Sequence, residues 1–134
     1  MQALIIPVSN NTPGVWFEPA SGTFELTGNS IPENAIEFYQ PVMDWLANHL
    51  PDLEGEQTLK IKLSYFNSTS LKALYMMLKQ VKDANTMGCR VRVEWYIEED
   101  DELLSETRSM MSEMLDMAMD VIPTGDQGAT RAAV

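Results

Sequence analysis

The pattern of apolar residues changes its period at residues 67–70, and this change constrains the fold more than any other feature of the chain. Residues 59–65 alternate apolar and polar side chains with a period of two, which is typical of a strand with one buried face. Beyond residue 70, apolar side chains recur at helical spacing, namely Leu71, Leu74, Leu78 and Val81. The sequence therefore predicts that a buried strand ends, and an amphipathic helix begins, at residues 67–70.

This junction consists of Asn67, Ser68, Thr69 and Ser70, an asparagine followed by three hydroxyl side chains. Asn, Ser and Thr are preferred N-cap residues, so one of them is expected at any helix start. The first turn of a helix also presents free N–H groups and a partial positive charge, which suit a bound or covalently attached phosphate. The local pattern favours a cap alone, while the additional hydroxyls leave a phosphate site open as the alternative.

Strand patterns also occur on both sides of this junction. The apolar run at residues 3–8 predicts a first strand, and the runs 15–18 and 23–28, which flank a Pro/Gly loop, predict an antiparallel hairpin. Residues 89–97 alternate with a period of two, and the apolar pair 121–122 predicts a short final strand.

A helix is expected after the hairpin. Ser30 and Glu33 have capping-box spacing, and Pro32 falls within the predicted first turn, where its missing N–H costs little. Pro41 lies inside the helical pattern and predicts a kink or two abutting helices. The residues expected on the buried face are Ala35, Phe38, Val42, Trp45, Leu46 and His49.

Two further helix boundaries can be predicted. The helix after residue 70 should end near Gly88, since glycine is the usual left-handed cap. A last helix is expected over residues 103–118, with one apolar stripe formed by Leu103, Leu104, Met111, Met114, Leu115 and Ala118.

Together these segments predict one α/β domain. Strand 59–66, helix 70–87 and strand 89–97 should form a βαβ unit with a right-handed parallel crossover. The N-terminal hairpin adds antiparallel strands, so a mixed β-sheet with helices packed on it is expected. The domain should span residues 1–123, and residues 124–134, which lack periodicity, predict a disordered tail.

Charge and composition exclude several classes of function. The net charge of −11 argues against a nucleic-acid surface and against docking on an anionic membrane. The apolar N-terminal run is too short for an export signal, so we expect a cytoplasmic protein.

The side chains that could carry chemistry also have structural interpretations. Carboxylates at residues 98–102 could bind metal or form a small enzyme site, but they lack a calcium-loop pattern and suit a solvated helix start or a docking patch. The single His49 fits a C-terminal helix cap, and the single Cys89 a buried structural thiol. The ten methionines are expected in the core rather than on an adaptable binding surface, although both can hold, and the three tryptophans are expected in the core or in hairpin packing. No pattern supports an enzyme, a metal site or a cofactor.

Three segments, at residues 28–34, 65–74 and 93–101, together resemble the SiaC family of bacterial regulatory phosphoproteins. They read Gly-Asn-Ser-Ile-Pro-Glu-Asn, Tyr-Phe-Asn-Ser-Thr-Ser-Leu-Lys-Ala-Leu, and Val-Glu-Trp-Tyr leading into the acidic run. The first two are specific as a pair and weak singly.

This resemblance implies a fold related to the anti-sigma-factor antagonist (STAS) domains and a non-enzymatic partner-switching function. Such a protein is phosphorylated by a dedicated serine/threonine kinase and restored by a PP2C-type phosphatase. Its unmodified form binds and activates a diguanylate cyclase, which links it to cyclic-di-GMP signalling and biofilm or aggregation control. A generic anti-sigma-factor antagonist, which sequesters an anti-sigma factor, is the alternative.

The resemblance also implies the site residues. The family's phosphoacceptor directly follows the asparagine of the second segment; it is commonly Thr and is Ser68 here, with Thr69 as the less favoured acceptor. Thr69 and Ser70 are then expected to cap the helix. The residues expected to form the motif and the partner-binding surface are Tyr65, Asn67, Thr69, Ser70, Leu71, Lys72, Pro32, Glu33 and Asn34.

Overall fold

Six strands form one sheet whose spatial order follows the chain. The structure, a computed structural model, describes residues 2–124. Its strands are β1 (Leu4–Ile6), β2 (Gly14–Glu18), β3 (Thr23–Ser30), β4 (Glu56–Phe66), β5 (Arg90–Ile97) and β6 (Asp120–Pro123). Its α-helices are α1 (Ala35–His49), α2 (Ser68–Thr86) and α3 (Glu102–Leu115), and a short 3₁₀ turn, Leu50–Asp52, follows α1.

The sheet is mixed, as the sequence predicted. Strands β1, β2 and β3 pair antiparallel, whereas β3, β4, β5 and β6 pair parallel. Each parallel pair is joined by a helix, because parallel neighbours need a crossover connection. The predicted hairpin, the βαβ unit and the short final strand are therefore confirmed.

One face of the sheet forms the core together with the helices. Buried side chains on neighbouring strands are register partners or lie two residues apart on one strand, so they share this face. They are Phe17, Phe24, Leu26, Ile61 and Trp95. Buried residues of all three helices belong to the same apolar cluster. The opposite face is polar: its central strands carry the Glu25–Lys62 ion pair at 2.6 Å, and the Lys62 ammonium lies 4.9 Å from the centre of the Tyr96 ring.

The predicted start of the first helix was wrong. Ser30 does not cap a helix, because it is the last residue of β3 and is fully buried. Helix α1 begins at Ala35, where the Asn34 side chain accepts a hydrogen bond from the Glu37 N–H at 3.0 Å. Pro41 lies within this one continuous helix, which excludes two abutting helices, whereas the alternative of a kink stays a prediction.

Several other boundaries and burials differ from the sequence prediction. Helix α3 ends at Leu115 rather than residue 118, because Asp116 adopts a left-handed conformation with φ of 49°. Trp16 lies in the hairpin, opposite Glu25, rather than in the core, and is 49% exposed on the polar face of the sheet. Cys89 is only half-buried, with its thiol 3.4 Å from the Leu50 carbonyl. Other large side chains expected in the core or on its helical stripes are exposed, namely Met76, Met87, Leu103, Met110 and Met114.

The remaining predictions concern His49, the membrane and the tail. The His49 ring packs against Trp45 with centroids 4.6 Å apart, and Leu50 occupies the cap position. Within residues 2–124, no helix is both long and apolar enough to cross a membrane. The tail predicted at 124–134 lies, beyond Thr124, outside the described residues.

Candidate functional site

The adjacent carboxyl ends of β3 and β4 bring two separate sequence segments together. Ser30 pairs with Phe66 in the parallel register, which places residues 30–34 beside residues 65–70. The Asn67 backbone N–H donates to the Ser30 carbonyl at 3.0 Å, and the Asn67 Nδ2 donates to the Pro32 carbonyl at 3.3 Å. The two most specific segments of the sequence thus form one site.

A register irregularity shapes this end of the sheet. Gly28 pairs with Leu63 but Asn29 pairs with Tyr65, so Ser64 is skipped. Gly28 has a φ of 99°, which only glycine adopts readily. The buried alternation of β4 accordingly ends at Leu63, and Tyr65 is 57% exposed beside the site.

Asn67 is the N-cap of helix α2. Its Oδ1 atom accepts hydrogen bonds from the Ser70 N–H at 2.9 Å and from the Thr69 hydroxyl at 3.1 Å. The expectation that Thr69 and Ser70 cap the helix was therefore wrong, because the preceding asparagine satisfies the first turn. Helix α2 ends before Gly88, whose φ of 110° confirms the predicted glycine terminator.

The three hydroxyls after this cap have different environments. Ser70 is fully buried, and its hydroxyl donates to the Ser30 carbonyl at 2.8 Å. Thr69 is exposed, but its hydroxyl donates to Asn67. Ser68 is exposed, and within residues 2–124 its hydroxyl has no hydrogen-bond partner. Of the three, Ser68 is the hydroxyl that is both accessible and unoccupied.

Buried polar groups lie behind this turn. The sequence had placed Ser70 in the motif but indicated no site role for the Ser30 or Tyr39 side chains. Ser30 Oγ lies 2.8 Å from both Ser70 Oγ and the Tyr39 hydroxyl. All three residues are fully buried, and burial raises the pKa of Tyr39 to about 12. The spacing of Ser30 and Glu33 had suggested a helix cap. Ser30 was therefore assigned a partner three residues away rather than one 40 residues away in the sequence.

The loop between β1 and β2 also reaches the site, which the sequence did not indicate. The Ile31 N–H donates to the Asn11 carbonyl at 2.8 Å, so the loop packs against the segment after β3. The loop is closed on itself, since the Ser9 and Thr12 hydroxyls are 2.6 Å apart.

The surroundings of Ser68 favour an added negative charge. The N–H groups of Ser68 and Thr69 belong to the first turn of α2 and have no acceptor within residues 2–124. Lys72 is exposed, lies four residues after Ser68, and takes part in no ion pair of the described chain. A phosphate on Ser68 would therefore meet free donors and a neighbouring cation.

The other predicted site residues occupy distinct positions. Pro32 is buried and Leu71 is half-buried, whereas Glu33 and Asn34 are exposed at the start of α1. Pro32 contacts the α2 cap directly, while Asn34 caps a different helix.

The acidic run at residues 98–102 leads from β5 into helix α3. Asp101 caps helix α3 by accepting from the Leu104 N–H at 3.0 Å. Within residues 2–124, no group of three or more His, Cys, Asp or Glu side chains is arranged to hold a metal ion. Glu98 and Asp101 line an open surface cavity of about 460 Å³ together with Lys62 and Tyr96. The arrangement favours a solvated helix start.

Comparisons with known proteins give one consistent result. The family model described as SiaC family regulatory phosphoprotein matches residues 6–124. An uncharacterized protein of Pseudomonas aeruginosa (strain UCBPP-PA14) is 30% identical over 106 residues, which cover 79% of this chain and 84% of the relative.

Solved structures agree with the family match. SiaC of Pseudomonas aeruginosa superposes with a TM-score of 0.80 and 27% identity, over 92% of this chain and 99% of that one. A crystal structure of the diguanylate cyclase SiaD in complex with its activator SiaC, from the same organism, contains a chain that matches with a TM-score of 0.81 and 27% identity. That match covers 90% of this chain and 98% of that one.

Proposed function

The chain belongs to the SiaC family of regulatory phosphoproteins, and we propose that in its unphosphorylated form it binds and activates a diguanylate cyclase. It acts in the cytoplasm as a non-enzymatic switch, is phosphorylated by a cognate serine/threonine kinase, and is restored by a PP2C-type phosphatase. The output is control of cyclic-di-GMP signalling and of biofilm or aggregation.

One observation carries this proposal. The SiaC of Pseudomonas aeruginosa is described as the activator of SiaD and was crystallised in complex with it, and this chain matches that SiaC over 90% of its length. The match also covers 98% of the SiaC chain, so nearly every residue of SiaC has a counterpart position in this fold, and a corresponding binding surface fits within it.

Ser68 is the proposed phosphoacceptor, and Thr69 is the alternative. Three features support Ser68: it directly follows the capping Asn67, its hydroxyl is exposed, and it makes no hydrogen bond within residues 2–124. Thr69 is also exposed, but its hydroxyl would have to leave Asn67 before it could attack a phosphoryl donor. Ser70 is fully buried, which argues against it.

The electrostatics of the site suggest how one phosphate could change binding without unfolding the chain. A phosphate adds roughly −1.5 to −2 charges. In the unbound chain, the N–H groups of the first turn and the exposed Lys72 offset that charge at the surface. At a partner interface the same charge must lose its hydration, and the chain already carries a net charge of −11. Phosphorylation should therefore weaken the partner contact while the fold persists.

The predicted partner-binding residues divide by exposure into two groups. Five of them are exposed and can meet a partner directly, namely Tyr65, Thr69, Lys72, Glu33 and Asn34. The others support the site from within, namely Asn67, Ser70, Leu71 and Pro32, all buried or half-buried.

Reconstitution tests the proposal. The purified chain is mixed with a diguanylate cyclase from the same host, and cyclic-di-GMP is measured by liquid chromatography before and after treatment with a host kinase. We expect activation by the unmodified chain and loss of activation after phosphorylation. Ser68→Ala should activate but resist the kinase, and intact and peptide mass spectrometry should place the phosphate.

Other outcomes would contradict it. Phosphate on Thr69 or Ser70 would overturn the choice of acceptor. A pull-down that recovers an anti-sigma factor and no cyclase would favour the anti-sigma-factor antagonist instead. A catalytic activity that is lost on neutralising Glu98 and Asp101, but kept in Ser68→Ala, would favour an enzyme.

A further inference from the structure

A continuous chain of buried hydrogen bonds connects helix α1, the end of β3 and the first turn of α2. Tyr39 comes from α1, Ser30 ends β3, and Ser70 lies in the first turn of α2, 40 positions after Ser30. All three side chains are fully buried. Ser70 is only two residues after Ser68, so this network is adjacent to the proposed phosphoacceptor.

The donors and acceptors of this network can be assigned by counting protons. Ser70 has one hydroxyl proton and donates it to the Ser30 carbonyl. Ser30 then donates its own hydroxyl proton to Ser70 Oγ. The remaining 2.8 Å contact must therefore be donated by Tyr39 to Ser30 Oγ. Each hydroxyl donates once, so the geometry of the three groups is mutually fixed.

A helix cap does not require this network. Asn67 alone satisfies the Ser70 N–H and therefore serves the usual capping function. The buried hydroxyls instead fix where the first turn lies relative to β3 and α1. Ser68 stands between Asn67 and Ser70, both of which bond to the Ser30 carbonyl. Its backbone is thus held on both sides while its own hydroxyl points to no protein partner in residues 2–124.

Resting on the proposed phosphorylation of Ser68, we propose that Ser30, Tyr39 and Ser70 are positioning residues of the switch. They hold the first turn of α2 in one orientation, so that a kinase meets the Ser68 hydroxyl preorganised for in-line attack on the terminal phosphorus of a nucleoside triphosphate. The Oγ–P bond then forms as the terminal P–O bond of the donor breaks, the nucleoside diphosphate leaves, and the hydroxyl proton passes to a base of the kinase. Proximity and orientation of this kind contribute strongly to transfer rates, and small displacements reduce them. Ser70 is then a structural hydroxyl, although it lies in the same three-residue run as the acceptor.

The test compares Ser70→Ala and the milder Tyr39→Phe with a matched control, Thr107→Val. Thr107 is buried in α3, and its hydroxyl donates to the Leu103 carbonyl at 2.8 Å, so the control also removes a buried hydroxyl. Amide hydrogen exchange is measured at Asn67, Ser70 and Leu71, whose N–H groups are hydrogen-bonded in this turn, together with the kcat/KM of a host kinase that labels the wild-type chain. All variants are compared at a temperature where they are fully folded.

We expect exchange of the hydrogen-bonded N–H groups of Asn67, Ser70 and Leu71 to accelerate at least tenfold in Ser70→Ala and several-fold in Tyr39→Phe. Phosphorylation of Ser68 should slow in the same order, by about tenfold and about threefold. Thr107→Val should alter neither quantity, even if it lowers the melting temperature equally. Should Ser70→Ala fail to fold, Tyr39→Phe provides the comparison by itself.

The outcomes separate this inference from the proposed function. If the wild type takes no phosphate on Ser68, the proposed function is refuted and the positioning role falls with it. If the wild type is labelled on Ser68 but the two variants are labelled at the wild-type rate, only the positioning role is refuted. An equal loss of rate in Thr107→Val would also refute it.

Discussion

Replacing Asn67 by Ala should destabilise the protein more than the loss of an ordinary helix cap. The side chain caps α2 through the Ser70 N–H, and loss of an N-cap typically costs about 1 kcal/mol. It also donates to the carbonyl of buried Pro32, and a buried carbonyl left unpaired costs about 1 kcal/mol or more. We therefore expect the free energy of unfolding to fall by about 2 kcal/mol.

Asn34→Ala is the matched control within the same chain. Asn34 caps α1 through the Glu37 N–H at 3.0 Å, but its other contact is an exposed one to the Glu37 carboxylate at 3.3 Å. Its loss should cost only about 1 kcal/mol. Urea denaturation followed by far-UV circular dichroism gives both values, provided that the m-value is unchanged.

The comparison tests whether segments 28–34 and 65–74 depend on each other. If Asn67→Ala costs no more than Asn34→Ala, the bond to Pro32 contributes nothing and the reasoning is wrong. Asn67→Asp keeps the capping oxygen but removes the Nδ2 donor, so its cost should lie between that of the wild type and that of Asn67→Ala. A full 2 kcal/mol loss in Asn67→Asp would assign the effect to the amide donor alone.

Three further predictions follow from the same contacts. Phosphorylation of Ser68 should raise the free energy of unfolding by roughly 0.5–1 kcal/mol, because the dipole of α2 and the Lys72 cation both favour the phosphate. Part of this gain should be lost in Lys72→Gln. Thermal melts of the phosphorylated and unphosphorylated forms of both proteins measure it. Tyr39, whose folded pKa of about 12 exceeds the unfolded value near 10, contributes stability that is complete below pH 10. That stability should be lost by roughly 1.4 kcal/mol per unit as pH rises towards 12, and Tyr39→Phe should be less alkali-sensitive in pH-dependent urea titrations. Gly28→Ala should lower the free energy of unfolding by more than about 1 kcal/mol, because φ is 99° and the new Cβ would lie 2.9 Å from Val8 Cγ2. The control Gly22→Ala also has a positive φ, but its Cβ would meet open space, so its loss in urea denaturation should be smaller.

Most of the architecture could be predicted from local pattern. The alternation of Leu59, Ile61 and Leu63 places them on one buried face, and each is buried. Leu74, Leu78 and Val81 likewise form the buried stripe of α2. These predictions succeeded because burial of apolar area is the dominant favourable term and follows the period of the backbone.

The errors arose where local and tertiary interactions compete for the same polar residue. Ser30 and Glu33 have the spacing of a capping box, yet Ser30 is used by β3 and by two distant hydroxyls. Tyr65 continues the alternation of β4, yet the skipped Ser64 leaves it exposed. Sequence spacing carries no information about a register shift or about which partner a buried hydroxyl finds.

By itself, the sequence determined the order of strands and helices, the junction at residues 67–70, and the family resemblance that the comparisons confirmed. Only the tertiary structure decided which of the three adjacent hydroxyls is accessible and, among residues 2–124, free of a hydrogen bond. The physical reason is that Ser68, Thr69 and Ser70 are chemically alike in the sequence. They differ because parallel pairing of β3 with β4 brings Ser30 within 2.8 Å of Ser70, buries that hydroxyl, and leaves Ser68 facing solvent.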